Sequence, residues 1–244
     1  MEVKVVIPSH KRWDRVSTIS AVDGALLCVA DSQAKLYRAC NKGIEVVTHP
    51  DNIIGLARKR DWIIKHFGDV FMLDDDIDSL KRTYQEKGES SDIEAADAFD
   101  LIQVAANACR DSGFFLFGFS MSATPVQFDP FRPIKMGGYF TGAAHGVLSG
   151  SKLWYNPDIV CNEDYWISCL NAYYHRGGWK DNRFCFVQRD TFINRGGLAE
   201  FRNLDSEEKD FQLLQRTFGS DVVTLRKKAG KSHAFQKTLK FPFL

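Results

Sequence analysis

The chain has 244 residues, 44% of them hydrophobic and 26% charged, with 32 Lys+Arg against 31 Asp+Glu. A chain of this length and balance buries a core without disulfide or metal staples, which excludes a mainly disordered protein. At a net charge of +1 no global field draws it to nucleic acid or membrane, so any polyanion contact has to come from a local patch.

The first third alternates between two periods. Val3–Ile7 is an apolar run closed by Pro8, and Arg12–Ser20 is expected to follow as a helix. Ala25–Ala30 is a second strand; Asp31-Ser32 caps a helix running through Cys40. Ile44–Thr48 is a third strand, Ile54–Phe67 has helical spacing, and Asp69–Leu73 is a fourth strand. Strands alternating with helices predict a parallel sheet built through right-handed crossovers. Such sheets bind ligands at the carboxyl ends of their strands.

The second half is less regular. Glu94–Ser112 and Glu163–His175 are expected helices, Phe114–Phe119 and Arg183–Arg189 strands, and Gly137–Gly150 a glycine-rich apolar segment. A helix starts at Asp205-Ser206 and runs to Phe218, and the stretch from Arg226 to Lys240 is basic. Glu86–Asp92 is the best candidate for a mobile polar loop. The six cysteines are scattered with no C-x-x-C pair, and the N-terminal residues show no secretory pattern, which predicts reduced thiols in a cytoplasmic protein. The expected organisation is one α/β domain over residues 1–244.

The most informative stretch is Asp74-Asp75-Asp76, directly after the fourth strand. Adjacent carboxylates repel one another and are costly to desolvate without a cation. Alternate positions, Asp74 and Asp76, point the same way if the strand conformation persists, and hard oxygen donors suit Mg²⁺ or Mn²⁺. An EF-hand loop would need Gly at Ser79 and Glu at Gln85, so that possibility fails. A phosphatase with Asp74 as nucleophile and a nucleotide-sugar site with a metal-bridged diphosphate both remain open.

Further landmarks follow the acidic run in order. Val5–Arg12 resembles the first strand and nucleotide loop of a GT-A-fold glycosyltransferase, and Asp31 is similar to the acid that contacts the base in that fold. Asn52-Ile53-Ile54-Gly55-Leu56-Ala57-Arg58 resembles its N-x-G-x-A-R stretch, Asp74-Asp75-Asp76 its D-x-D motif, and Asn162-Glu163-Asp164 its later E-D motif. Met72-Leu73-Asp74-Asp75-Asp76 and its spacing most resemble the phage glycosyltransferases associated with TET/JBP base-oxidising enzymes.

The resemblance implies a GT-A-like, mainly parallel sheet flanked by helices, with residues 1–80 binding a nucleotide sugar and 94–244 carrying the acceptor part and basic tail. It implies a UDP-sugar donor contacted by Pro8, Ser9, His10, Arg12, Asp31, Gly55, Arg58, Asp74, Asp75 and Lys231. It implies Mn²⁺ or Mg²⁺ held by Asp74, Asp76 and His233, with Asp164 as base and Glu163 orienting substrate. The acceptor it implies is a hydroxymethyl-pyrimidine in DNA, glycosylated with inversion in the cytoplasm of a phage host. A basic tail of Lys227, Lys228, Lys231, Lys237 and Lys240 would track phosphates, and Tyr139 or His145 would stack on a ring. A glycan, lipid or protein acceptor, a D-x-D phosphatase and a non-catalytic nucleotide- or DNA-binding module are the alternatives.

Overall fold

A computed structural model describes residues 2–85, 90–188, 202–226 and 236–241. The expected alternation is present in its first part: β1 (Lys4–Pro8), β2 (Leu26–Ala30), α1 (Ala34–Cys40), β3 (Val46–His49), α2 (Leu56–Phe67) and β4 (Val70–Leu73). After β4 come β5 (Ile77–Arg82), β6 (Asp92–Ile93), α3 (Ala95–Asp111), β7 (Leu116–Phe119), β8 (Ile134–Lys135) and β9 (Ala144–Val147). The remaining elements are α4 (Glu163–His175), β10 (Trp179–Asp181), β11 (Phe184–Gln188), α5 (Leu204–Phe218), β12 (Val223–Leu225) and β13 (Lys237–Leu239).

The main sheet has the order β3-β2-β1-β4-β9-β7-β10-β8. β3, β2, β1 and β4 pair in parallel, as do β7 and β10. β9 runs antiparallel to both β4 and β7, and β8 antiparallel to β10. Strands β2, β4 and β7 are apolar throughout because both faces of the sheet are covered. Val5, Ile7, Phe71 and Leu73 pack with Tyr37 of α1 and Ile102, Ala105 and Ala106 of α3. The alternate residues Val6, Val70 and Met72 pack with Ala57 and Ile63 of α2, Trp166 and Ile167 of α4 and Leu214 of α5. Gly146 stands on β9 opposite Phe71 and Phe117, and a Cβ there would fall 2.0 Å from the Phe117 ring. Only glycine lets the ring lie over this strand.

One expectation needs correction. Arg12–Ser20 is not a helix: Lys11 takes a positive φ of 55°, and only a short 3₁₀ turn forms at Ser17–Ser20. The segment hydrogen-bonds to the acidic turn instead of to itself. The Ser17 N–H donates to the Asp75 carbonyl, and Thr18 Oγ1 donates to the Asp74 carbonyl and accepts from the Ile77 N–H. The glycine-rich segment contains a central strand, β9. The acidic turn leads straight into β5, which joins β11 and β6 in a second sheet.

The six cysteines are unpaired thiols, with only Cys40 exposed. No described helix is long and apolar enough to cross a membrane. Ser90 to Asp92 of the expected polar loop lead into β6, and residues 86–89 lie outside the described residues.

Candidate active site

The carboxyl ends of β1, β3 and β4 open onto a cleft of about 900 Å³. Three further elements close it: the N-terminus of α2, the Thr141–Ala143 segment leading into β9, and the N-terminus of α4. This is where the strand order reverses around β1, the position that a sheet of this kind leaves for a ligand.

The three adjacent aspartates have different fates. Asp75 turns back beneath the β1 loop, where its Oδ2 accepts from Ser9 Oγ at 2.5 Å and its Oδ1 from Arg12 Nη1 at 2.6 Å. Ser9 Oγ is also 2.6 Å from the Tyr37 hydroxyl, so Asp75 anchors the loop to α1. Asp74 and Asp76 share a partner that the sequence did not suggest, because Gln188 Nε2 donates to Asp74 Oδ2 at 3.1 Å and to Asp76 Oδ1 at 2.9 Å. The strand conformation ends at Leu73, and it is this amide in a turn that brings the alternate aspartates together. Burial raises the Asp76 pKa, opposed by the Gln188 hydrogen bond, and raises that of Asp74 to about 6, with Arg60 opposing and Asp76 and Asp75 adding.

Arg60, absent from the expected set, is the central cation. Its side chain is fully buried, and Nη2 donates to Asp74 Oδ1 at 2.8 Å and to the Gly142 carbonyl at 2.7 Å. Nη1 lies 3.5 Å from Glu163 Oε1 on α4. A single guanidinium therefore ties β4, the β9 loop and α4 together, as its planar fork permits. Arg58, two residues earlier, points elsewhere: its Nε donates to the Pro157 carbonyl at 3.3 Å, and the residue does not line the cleft. Two residues on a helix differ in direction by about 200°, so Arg60 faces the acidic turn and Arg58 does not, and neither lines the cleft. Asp31 is exposed and also misses the cleft, whose acid at that end is Asp51. Pro8, Ser9, His10, Arg12 and Gly55 do line it.

Across the cleft, Asp164 accepts from the Tyr139 hydroxyl at Oδ2 and from the Tyr165 N–H at Oδ1, 2.8 Å away. Glu163 is buried, its pKa raised to about 7 by burial against the opposing charge of Arg60, and its Oε2 has no hydrogen-bond partner among the described residues. Gly142 allows the close approach, since a Cβ there would lie 3.2 Å from Glu163 Oε1. The start of α4 is held from α5: Asp210 accepts from the Val160 and Cys161 N–H groups and from Asn162 Nδ2.

Lys237 Nζ completes that support, donating to Asn162 Oδ1 at 2.7 Å and to Glu207 at 3.0 Å. This buried lysine therefore holds α4 in place and does not track phosphates. Lys227, Lys228, Lys231 and His233 lie outside the described residues. Tyr139 lies against Tyr165 and points its hydroxyl at Asp164, whereas His145 is core, held between the Thr141 carbonyl and the Tyr155 hydroxyl and kept neutral by burial.

Among the described residues no cluster of three or more His, Cys, Asp or Glu side chains is arranged to hold a metal alone. Asp74 and Asp76 nonetheless fit a hard divalent cation. They are two oxygen donors drawn together by one amide, both raised in pKa by desolvation, and substrate and water oxygens commonly complete such a shell.

The sequence model of the family described as TET-associated glycosyltransferase matches residues 3–197. Among solved structures, S. aureus TarS (residues 1–349) is similar at 12% identity and a TM-score of 0.46, over 96% of this chain and 68% of that one. A CMP:2-keto-3-deoxy-manno-octonic acid synthetase complexed with CTP is similar at 13% identity and a TM-score of 0.33, over 90% and 87%. No curated protein matches the chain.

Proposed function

The chain belongs to the TET-associated glycosyltransferase family and is a glycosyltransferase, and from that premise we propose that the cleft moves a sugar from a UDP-sugar to the hydroxyl of a hydroxymethyl-pyrimidine in DNA. The observation that carries this reading is the pairing of Asp74 and Asp76, bridged by Gln188, with Asp164 across one cleft. Mn²⁺ or Mg²⁺ held by Asp74 and Asp76 would offset the charge that develops on the leaving diphosphate. Arg12, within 3.6 Å of Asp76, and Lys59 add positive charge on the donor side. His233 and Lys231 remain candidates for the same shell and diphosphate.

Asp164 would take the acceptor proton. Its two oxygens are oriented by neutral donors, Tyr139 and the Tyr165 N–H, which fix the carboxylate without placing a cation on it. One displacement with that base would invert the anomeric centre. Glu163, through Arg60, keeps the base side in register with the metal side. The family's association with TET supports a DNA acceptor, and a base in a duplex would have to leave the stack to enter the cleft. A phosphatase reading is disfavoured, because the matched family is one of glycosyltransferases.

The test has two stages. UDP titrated with Mn²⁺ should bind the wild type, and Asp76→Ala should lose that binding while its unfolding transition persists; unchanged binding would overturn the metal assignment. Radiolabelled UDP-sugar should then label hydroxymethylcytosine DNA. Transfer to glycan, lipid or protein acceptors alone would overturn the DNA assignment.

A further inference from the structure

The end of the cleft beneath β2 and β3 holds a group that the acidic site does not use. His49 closes β3 in register with Ala30 of β2, is only 1% exposed and lines the cavity. Its Nδ1 lies 3.0 Å from the Pro50 carbonyl oxygen. A carbonyl only accepts, so Nδ1 carries the proton and Nε2 presents a lone pair. That Nε2 is buried and has no hydrogen-bond partner among the described residues. Burial also lowers the pKa of the ring, opposed by the Pro50 hydrogen bond, and keeps the imidazole neutral.

Lys59 lines the same cavity from the first turn of α2. Its Nζ, also buried, donates to the Ser9 carbonyl at 2.5 Å. An ammonium has three protons, so it retains donors for acceptors in the cavity. The cleft end therefore offers one obligate acceptor together with a cationic donor. That pairing is complementary to an N–H flanked by carbonyls, the imide edge of uracil and thymine. The corresponding ring nitrogen of cytosine carries no proton and would set lone pair against lone pair.

We infer that His49 Nε2 accepts the imide N–H of a uracil-type base while Lys59 Nζ donates to a flanking carbonyl, so that His49 sets the nucleotide specificity of the donor site. This rests on the nucleotide-sugar reading above and adds to it the residue that selects the base, a role for which the exposed Asp31 is badly placed.

Calorimetric titration with UDP, 3-methyl-UDP, CDP and pyrophosphate, each with Mn²⁺, tests it on wild type, His49→Asn and His49→Gln. Asn reaches only the Nδ1 position of the imidazole, whereas Gln reaches that of Nε2. Wild type should bind UDP at least about tenfold more tightly than 3-methyl-UDP, because a site built around a hydrogen bond rejects the analogue that lacks it. His49→Asn should weaken UDP to the level of 3-methyl-UDP, His49→Gln should keep most of the preference, and pyrophosphate should bind all three alike. A preference caused by methyl bulk would survive in His49→Asn, and that result would overturn the inference. So would equal binding of UDP and 3-methyl-UDP to the wild type, or tighter binding of CDP. If the wild type binds pyrophosphate but no nucleotide more tightly, the base assignment alone fails. If it binds none of the four, the donor reading fails and the base assignment with it.

Discussion

On the β4 side of the cleft the carboxylates meet guanidinium and amide groups: Asp74 faces Arg60 and Gln188, Asp75 faces Arg12 and Ser9, and Asp76 faces Gln188 and Arg12. On the α4 side Asp164 meets a phenol and a peptide N–H, and one oxygen of Glu163 has no hydrogen-bond partner among the described residues. The difference matches the two tasks proposed for the cleft. Carboxylates crowded for a metal need compensating charge to fold at all, since unpaired ions are expensive to bury. A base must be oriented yet able to take a proton, and a cation placed on it would oppose that step.

The largest effect is expected from the α4 side. Asp164→Asn keeps the shape and removes the proton acceptor, so turnover should fall by roughly 10²–10⁴ while Mn²⁺-dependent UDP binding is retained. A variant with normal turnover would break the proposed division of labour.

Arg60 is where the two sides meet. Arg60→Met removes the guanidinium that Asp74 and Glu163 share, so urea denaturation should show a loss of about 3–5 kcal/mol. A loss below about 1 kcal/mol, the range of an exposed ion pair, would mean that the two sides are not coupled through this residue.

β9 is the strand that joins the halves, and Gly146→Ala would drive a methyl group into the Phe117 ring. Overpacking of that kind should cost about 1–3 kcal/mol, visible as a lowered Tm. A neutral result would show that the seam between the halves yields easily.

The smallest effect is a pH dependence. The folded-state pKa of Glu163, about 7, lies above its ordinary 4.5, so the folded state holds the proton more tightly. The associated stability is present below about 4.5 and is lost as pH rises through about 7. Relative to Glu163→Gln, the wild type should therefore lose stability across that window. His145 acts in the opposite sense: burial lowers its pKa from 6.5 to about 3, so its contribution is present above 6.5 and lost towards 3. Urea denaturation at several pH values checks both, and a difference between wild type and Glu163→Gln that does not move with pH would place a fixed charge at Glu163.

The sequence by itself determined the β1–β4 half and the edge where the site lies. There, alternating periods and the acidic run after an apolar strand report local preferences, and parallel pairing follows from chain connectivity. It was less successful for segments whose partners are distant. Arg12–Ser20 has helical spacing, but its polar groups are claimed by the acidic turn more than fifty residues away. The strand within Gly137–Gly150 forms because β4 and β7 leave a gap that only a glycine-bearing strand can fill.

The same distinction runs through the site. The residue types Asp, Asp, Glu and Asp were legible in the sequence, because clustered carboxylates after a strand or at a helix start are a local signal. Arg60 in place of Arg58, Gln188 as the bridge, Tyr139 on Asp164, and Asp75 turned back to hold a loop were decided only by the tertiary structure. Which oxygen meets which donor depends on the directions of side chains brought together from separate elements, and packing fixes those directions once the sheet has closed.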